Sequence, residues 1–218
     1  MFCGYLSIIY TSNEQYIYAG WLIIAASIFD ALDGAVARLT KSSSELGVEL
    51  DSLSDIISFG AAPAFLLYAT WFFQFDVAGV LISSLVLIAA GFRLARFNVQ
   101  LVGFSKSFFF GLPTPSSAIT IAAFILSYHI PNAGFQSPYN IIIWVLALLL
   151  PLLMISKIKY ETMPGFSLKS IKQKPFHFLF IAAAIVLLIT STAQGLFFIF
   201  VFMILFGIFR YFFVLIFK

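Results

Sequence analysis

Apolar stretches recur along this chain at lengths that call for a bilayer as solvent. Eight can be marked, running roughly Met1–Tyr10, Tyr16–Arg38, Glu45–Phe73, Val77–Val99, Pro115–His129, Tyr139–Ile155, Phe176–Thr190 and Gln194–Phe217. Several approach or exceed the roughly 20 residues that cross a hydrocarbon core. Backbone groups in lipid must bond internally, and the alternation of barrel strands is absent, so the segments are expected as helices. Only 10% of the residues are charged, against about 25% in soluble domains, too few to build a water-facing surface. The expected fold is an all-α integral membrane protein, a bundle of about eight transmembrane helices in a single domain over residues 1–218.

Breakers fall between these segments: Pro113 and Pro115, the run from Pro131 to Pro138, and Pro164 with Gly165. Gly60 and Pro63 are placed to bend the long third segment. The first segment, ten residues before Thr11, is too short to span at about 1.5 Å per residue. No basic region precedes it as in a signal peptide. The first helix is therefore expected to be truncated, with about ten to fifteen apolar residues upstream. The single cysteine, Cys3, excludes an internal disulfide and is expected as a packed apolar residue.

Charge sets an orientation. All 12 lysines and arginines, from Arg38 and Lys41 to Arg210 and Lys218, fall on one side of the bundle, and the alternate connections hold Glu14 and Asp76. By the positive-inside rule the basic side is cytoplasmic. Lys169, Lys172 and Lys174 fit either this topology signal or attraction to anionic headgroups.

Against that scarcity of charge, Phe29–Gly60 holds six of the nine acidic residues. Asp30 and Asp33 are three apart and Asp51 and Asp55 four apart, so each pair shares a helix face. Ser42 and Glu45 have the spacing of a capping box, which makes the second and third segments a hairpin. Both aspartate pairs then lie roughly 10–14 Å below the turn, at matching depth. Four ionised carboxylates in a half-buried site need cations, since each is expensive to desolvate unpaired. Oxygen-only ligation suits Mg²⁺ or Mn²⁺ better than zinc, and two such ions would make a clamp suited to phosphoryl chemistry. Gly34, Ala37 and Gly47 leave room for a ligand beside the carboxylates, or for close helix packing. Ser54 and Ser58 keep the third segment slim. The cation site of a transporter satisfies the same aspartates, although the last four segments carry almost no polar residues to continue a path.

The run Asp30-x2-Asp33-Gly34-x2-Ala37-Arg38-x8-Gly47-x3-Asp51-x3-Asp55 sets eight fixed residues in 26 positions. It resembles the signature of the CDP-alcohol phosphatidyltransferases at every defined position. That resemblance implies a membrane enzyme that moves a phosphatidyl group from a CDP-linked lipid to an alcohol and releases CMP. It implies two metal ions, with Asp30 and Asp51 bridging, Asp33 holding one and Asp55 helping to hold the other. Asp55 would also be the catalytic base, and Asp33, Gly34, Ala37, Arg38 and Gly47 would line the CDP pocket. The segments Gly91–Val99 and Phe110–Pro115, with Phe2-Cys3-Gly4 and Ser156–Tyr160, look like those of the bacterial membrane-type phosphatidylserine synthases. The resemblance covers about 1–160, and 176–217 match only as two additional C-terminal membrane helices. It implies CDP-diacylglycerol and L-serine as substrates, membrane lipids as surroundings, a homodimer, no nucleic-acid partner, and a bacterial inner-membrane location with the site facing the cytoplasm.

Arg93, Arg96 and Gln100 repeat along one helix face. Guanidinium groups suit the carboxylate of serine or the donor's pyrophosphate, and they also snorkel at helix ends. With the resemblance, Arg93, Arg96 and Asn98 are assigned to acceptor or phosphate binding. A sister enzyme acting on glycerol 3-phosphate or an inositol phosphate would call for a fuller basic pocket. The turn Phe108–Pro113 is expected at the membrane interface, shaping the acceptor pocket or simply entering the next helix. His129, His177, Glu45 and Glu49 are given no ligand role.

Overall fold

The computed structural model describes residues 1–40, 45–101, 109–131, 133–160 and 175–216. The chain is helical nearly throughout: α1 Phe2–Ser12, α2 Tyr16–Thr40, α3 Glu45–Asp55, α4 Ala62–Thr70, α5 Asp76–Leu101, α6 Thr114–Tyr128, α7 Tyr139–Ile155 and α8 Pro175–Ile216. A π-helical stretch, Ile56–Ala61, joins α3 to α4, and a 3-10 turn, Phe72–Phe75, leads into α5. Two two-residue strands, β1 Phe109–Phe110 and β2 Lys159–Tyr160, pair antiparallel with Phe109 opposite Tyr160.

Four helical spans are long and apolar enough to cross a membrane: Tyr16–Ala37, Leu46–Thr70, Phe72–Val99 and Ala193–Phe213. Thr114–Tyr128 and Tyr139–Ile155 are apolar but shorter. The expected count of about eight spans is thus not reached among the described residues. The two C-terminal segments are also corrected, because Pro175–Ile216 is one continuous helix of 42 residues. Thr190-Ser191-Thr192 interrupts the hydropathy without a proline, and polar residues alone do not break a helix.

The third segment stays helical from α3 through α4, and Pro63 explains the π-helical stretch between them. Proline lacks an N–H, and its ring crowds the carbonyl four residues back. The chain widens its register just before it, with the Ala62 N–H donating to the Ile57 carbonyl, a π-type bond.

The core is assembled from α2, α4, α5, α6 and α7: Ile23, Leu66, Val86, Ile121, Phe124 and Leu150 are all at most 1% exposed. Helix α2 packs on α1 and α6, α5 packs on α7, and α6 packs on α8. Hydroxyls tie neighbours together where they can. Ser7 donates to the Ala19 carbonyl at 2.9 Å and Tyr16 to the Ala69 carbonyl at 3.1 Å. Outward positions are apolar as well, including Ile28, Leu32, Val36, Leu81, Ile88 and Phe92. Such a surface matches lipid and not water.

Candidate active site

The aspartate spacing does what helix geometry demands. α2 presents Asp30 and α3 presents Asp51 and Asp55, and one carboxylate oxygen from each lies within 4.8 Å of the others. Asp30 and Asp55 are half-buried, while Asp51 and Asp33 are exposed. Asp33 stands outside that triad but lines the same cavity. The cavity holds about 310 Å³, and its wall includes Ala26, Phe29, Ser54, Ser58 and Phe59 besides the four aspartates. All four expected carboxylates therefore meet in one hollow between α2 and α3.

The triad's donor set consists of carboxylate oxygens alone, the set that hard divalent cations take. Three like charges this close repel strongly unless a cation lies between them. The site therefore fits a divalent metal on its own chemistry.

Of the residues assigned to the CDP pocket, Gly34 and Ala37 are half-buried on α2 and Gly47 is exposed on α3. Arg38 lies within α2, but its side chain is outside the described residues. So are the serines of the proposed capping box, Ser42 to Ser44, while Glu45 begins α3 as expected.

The second cluster divides. Arg93 is buried, within electrostatic reach of Asp55, and its Nε has no hydrogen-bond partner among the described residues. Arg96, one turn on, donates from Nη1 to the Ile155 carbonyl at 2.9 Å and from Nη2 to the Ser156 carbonyl at 3.4 Å. It caps the C-terminus of α7, whose last carbonyls lack intrahelical donors. Asn98 bonds Ser52, with its amide 3.0 Å from the hydroxyl, and so ties α5 to α3.

Of the Phe108–Pro113 segment, residues 109–113 are described, and they dock on the same helix end. Gly111 donates to the Ile158 carbonyl at 2.8 Å and Leu112 to the Leu153 carbonyl at 3.0 Å. Gly111 has φ +83, and a Cβ there would fall 2.1 Å from the Met154 carbonyl oxygen, so only glycine fits. Pro113 then precedes α6 as its N-cap, which makes this segment a helix-entry turn.

Cys3, Ser54 and Ser58 also line the cavity, beyond the expectation of a packed apolar residue for Cys3 and of a slim third segment for the two serines. The signal was present for the serines. Positions 51, 54, 55 and 58 follow the i, i+3, i+4, i+7 pattern of one helix face.

The CDP-alcohol phosphatidyltransferase family profile matches residues 1–155. A CDP-diacylglycerol–serine O-phosphatidyltransferase of Helicobacter pylori is 37% identical over 163 residues, 73% of this chain and 67% of the relative. An enzyme of the same name from Methanocaldococcus jannaschii is 42% identical over 147 residues, 66% of this chain and 64% of the relative. The archaetidylserine synthase of Methanothermobacter thermautotrophicus is 40% identical over 164 residues, 74% of this chain and 66% of the relative. The chain spans about two thirds of the length of these relatives.

Proposed function

The chain belongs to the CDP-alcohol phosphatidyltransferase family, and from that membership we propose that it is a CDP-diacylglycerol–serine O-phosphatidyltransferase. It transfers the phosphatidyl group of CDP-diacylglycerol to the hydroxyl of L-serine, giving phosphatidylserine and CMP. The observation that carries this reading is the convergence of Asp30, Asp51 and Asp55 inside the family signature, in a chain whose relatives bear that enzyme's name.

Asp30, Asp33, Asp51 and Asp55 would hold the divalent metal, Mg²⁺ or Mn²⁺ and two ions by the family resemblance. When bound, such a metal would supply positive charge against the pyrophosphate and the departing CMP. Asp55 accepts the proton of the serine hydroxyl as its oxygen bonds to the phosphatidyl phosphorus. The phosphorus–oxygen bond to CMP breaks, and CMP leaves with that oxygen. Gly34, Ala37, Arg38 and Gly47, with Asp33, receive the CDP group.

Arg93 receives the serine carboxylate, supported by its burial beside Asp55 and by the fit of a guanidinium to a carboxylate. Arg96 and Asn98, assigned to the acceptor from sequence, instead hold the helices that frame the site. A phosphorylated acceptor calls for a fuller basic pocket than Arg93 and Arg96, and Arg96 donates to the α7 carbonyls. That favours serine over glycerol 3-phosphate or an inositol phosphate.

The protein lies in the inner membrane as a homodimer, with a core over residues 1–160, helix α8 appended, and the cavity open to the cytoplasm. The shorter helices α1, α6 and α7 complete the membrane bundle beside the four longer spans. The placement of the basic residues from Arg38 to Lys174 supports this orientation; one continuous α8 separates Arg210 from them, so Arg210 is not counted toward it. The test is CMP release by purified protein given CDP-diacylglycerol, Mn²⁺ or Mg²⁺, and a panel of alcohols. Release with serine alone is expected, and release with glycerol 3-phosphate but not serine would overturn the acceptor assignment.

A further inference from the structure

Ser58 is 2% exposed, and its buried hydroxyl has no hydrogen-bond partner among the described residues. Other buried hydroxyls in these helices solve the same problem locally. Thr70 donates to the Leu66 carbonyl at 2.7 Å, Ser83 to Gly79 at 2.8 Å and Thr120 to Ser116 at 2.7 Å, each one turn back. Ser58 makes no such bond, and it sits in the π-helical stretch, where the bonding register is shifted. Orphaned buried polar groups are few in folded proteins, and each calls for an explanation.

Position supplies one. Ser58 lines the cavity together with Asp30, Asp51 and Asp55. Helix α1 closes over it from the other side, since a Cβ on Gly4 would fall 2.6 Å from both the Cα and the Oγ of Ser58. Ser58 thus stands between α1, against which its hydroxyl is packed, and the hollow that the residue lines. It lies three residues after Asp55, on the same helical face.

Resting on the reading of the site as a serine phosphatidyltransferase, we propose that Ser58 is a specificity-determining residue whose Oγ accepts a hydrogen bond from the α-ammonium group of the acceptor. The acceptor must bring its hydroxyl to Asp55, and in serine the carbon next to that hydroxymethyl bears the ammonium and the carboxylate. A wall rich in aspartates favours the ammonium and disfavours the carboxylate, which Arg93 takes. A hydroxyl oxygen can accept from an N–H donor without adding charge to the metal site. An acceptor without the amino group leaves Ser58 unmatched, so the residue selects for an amino alcohol.

The experiment is steady-state CMP release by wild type, Ser58→Ala and Ser58→Cys, varying serine and CDP-diacylglycerol separately. Competition against serine by the amino-free analogue 3-hydroxypropanoate is read as its inhibition constant. In Ser58→Ala the KM for serine rises by roughly tenfold, about one hydrogen bond's worth. Its kcat and its KM for CDP-diacylglycerol stay within about twofold, as does the inhibition constant of the analogue, and Ser58→Cys falls between. An unchanged serine KM, or an equal loss for both substrates and the analogue, overturns the proposal. Wild type that releases no CMP with serine overturns the underlying reading instead, so the two failures are distinct.

Discussion

Removing one charge from the triad has opposite consequences with and without metal. Three carboxylate oxygens within 4.8 Å of one another make three repelling pairs. With an effective dielectric constant of about 20, each fully ionised pair at this separation is unfavourable by about 3.5 kcal/mol. Asp51 is exposed to water, so screening reduces the two pairs it joins, and we take about 1–2 kcal/mol as the combined relief from Asp51→Asn. For a chain of this length that is a rise of about 2–8 °C in the midpoint of thermal unfolding. In detergent with a chelator, Asp51→Asn should therefore unfold above wild type. Addition of Mn²⁺ should raise the wild-type midpoint past the variant's, because the metal stabilises by binding the folded state and the variant has lost a ligand. The assay is a thermal-shift titration of both proteins over chelator and Mn²⁺. A variant less stable than wild type in chelator, with an undiminished response to Mn²⁺, would refute the reasoning that these carboxylates form one cation site.

Two further outcomes test the frame around the site. Arg96→Ala removes the donors that meet the Ile155 and Ser156 carbonyls and should destabilise by about 1–3 kcal/mol, a midpoint shift of several degrees. Arg96→Lys, with one ammonium in place of a fork, should recover only part of that stability, whereas Arg93→Ala should raise the serine KM with little change in the midpoint. Gly111→Ala meets both a φ of +83 and the Met154 carbonyl, so it should lower the midpoint by at least as much as Arg96→Ala, read in the same assay.

The parts of this architecture that repeat along the chain could be read from it. Helical segments followed from hydropathy, and the meeting of Asp30 with Asp51 and Asp55 followed from spacing on two antiparallel helices. The parts that depend on distant partners could not. Arg96 reaches carbonyls 59 and 60 residues away, and no local period distinguishes that cap from a substrate contact on the face it shares with Arg93. Pro63 signalled a disturbance of the third segment, and its form, a widened register just before the proline, shows only in the backbone bonds. The hydropathy gap near Thr190 resembled a boundary, although a helix ends only where its backbone bonding is broken. Ser58 was visible as a small residue on the aspartate face. Its missing partner became evident only when α1 was seen packed behind it.

The central claim is that the aspartate site moves a phosphatidyl group onto serine, with Asp55 taking the proton. Isotope-labelled serine supplied to the purified, metal-loaded protein with CDP-diacylglycerol tests it directly, with lipid product and CMP both measured by mass spectrometry. The account predicts labelled phosphatidylserine and CMP in equal amounts from wild type. It also predicts a loss of roughly 10²–10⁴ in rate for Asp55→Asn, the size expected for removing a general base, in a variant that still unfolds cooperatively. Labelled lipid formed at the wild-type rate by Asp55→Asn, or CMP released without label entering lipid, would contradict it.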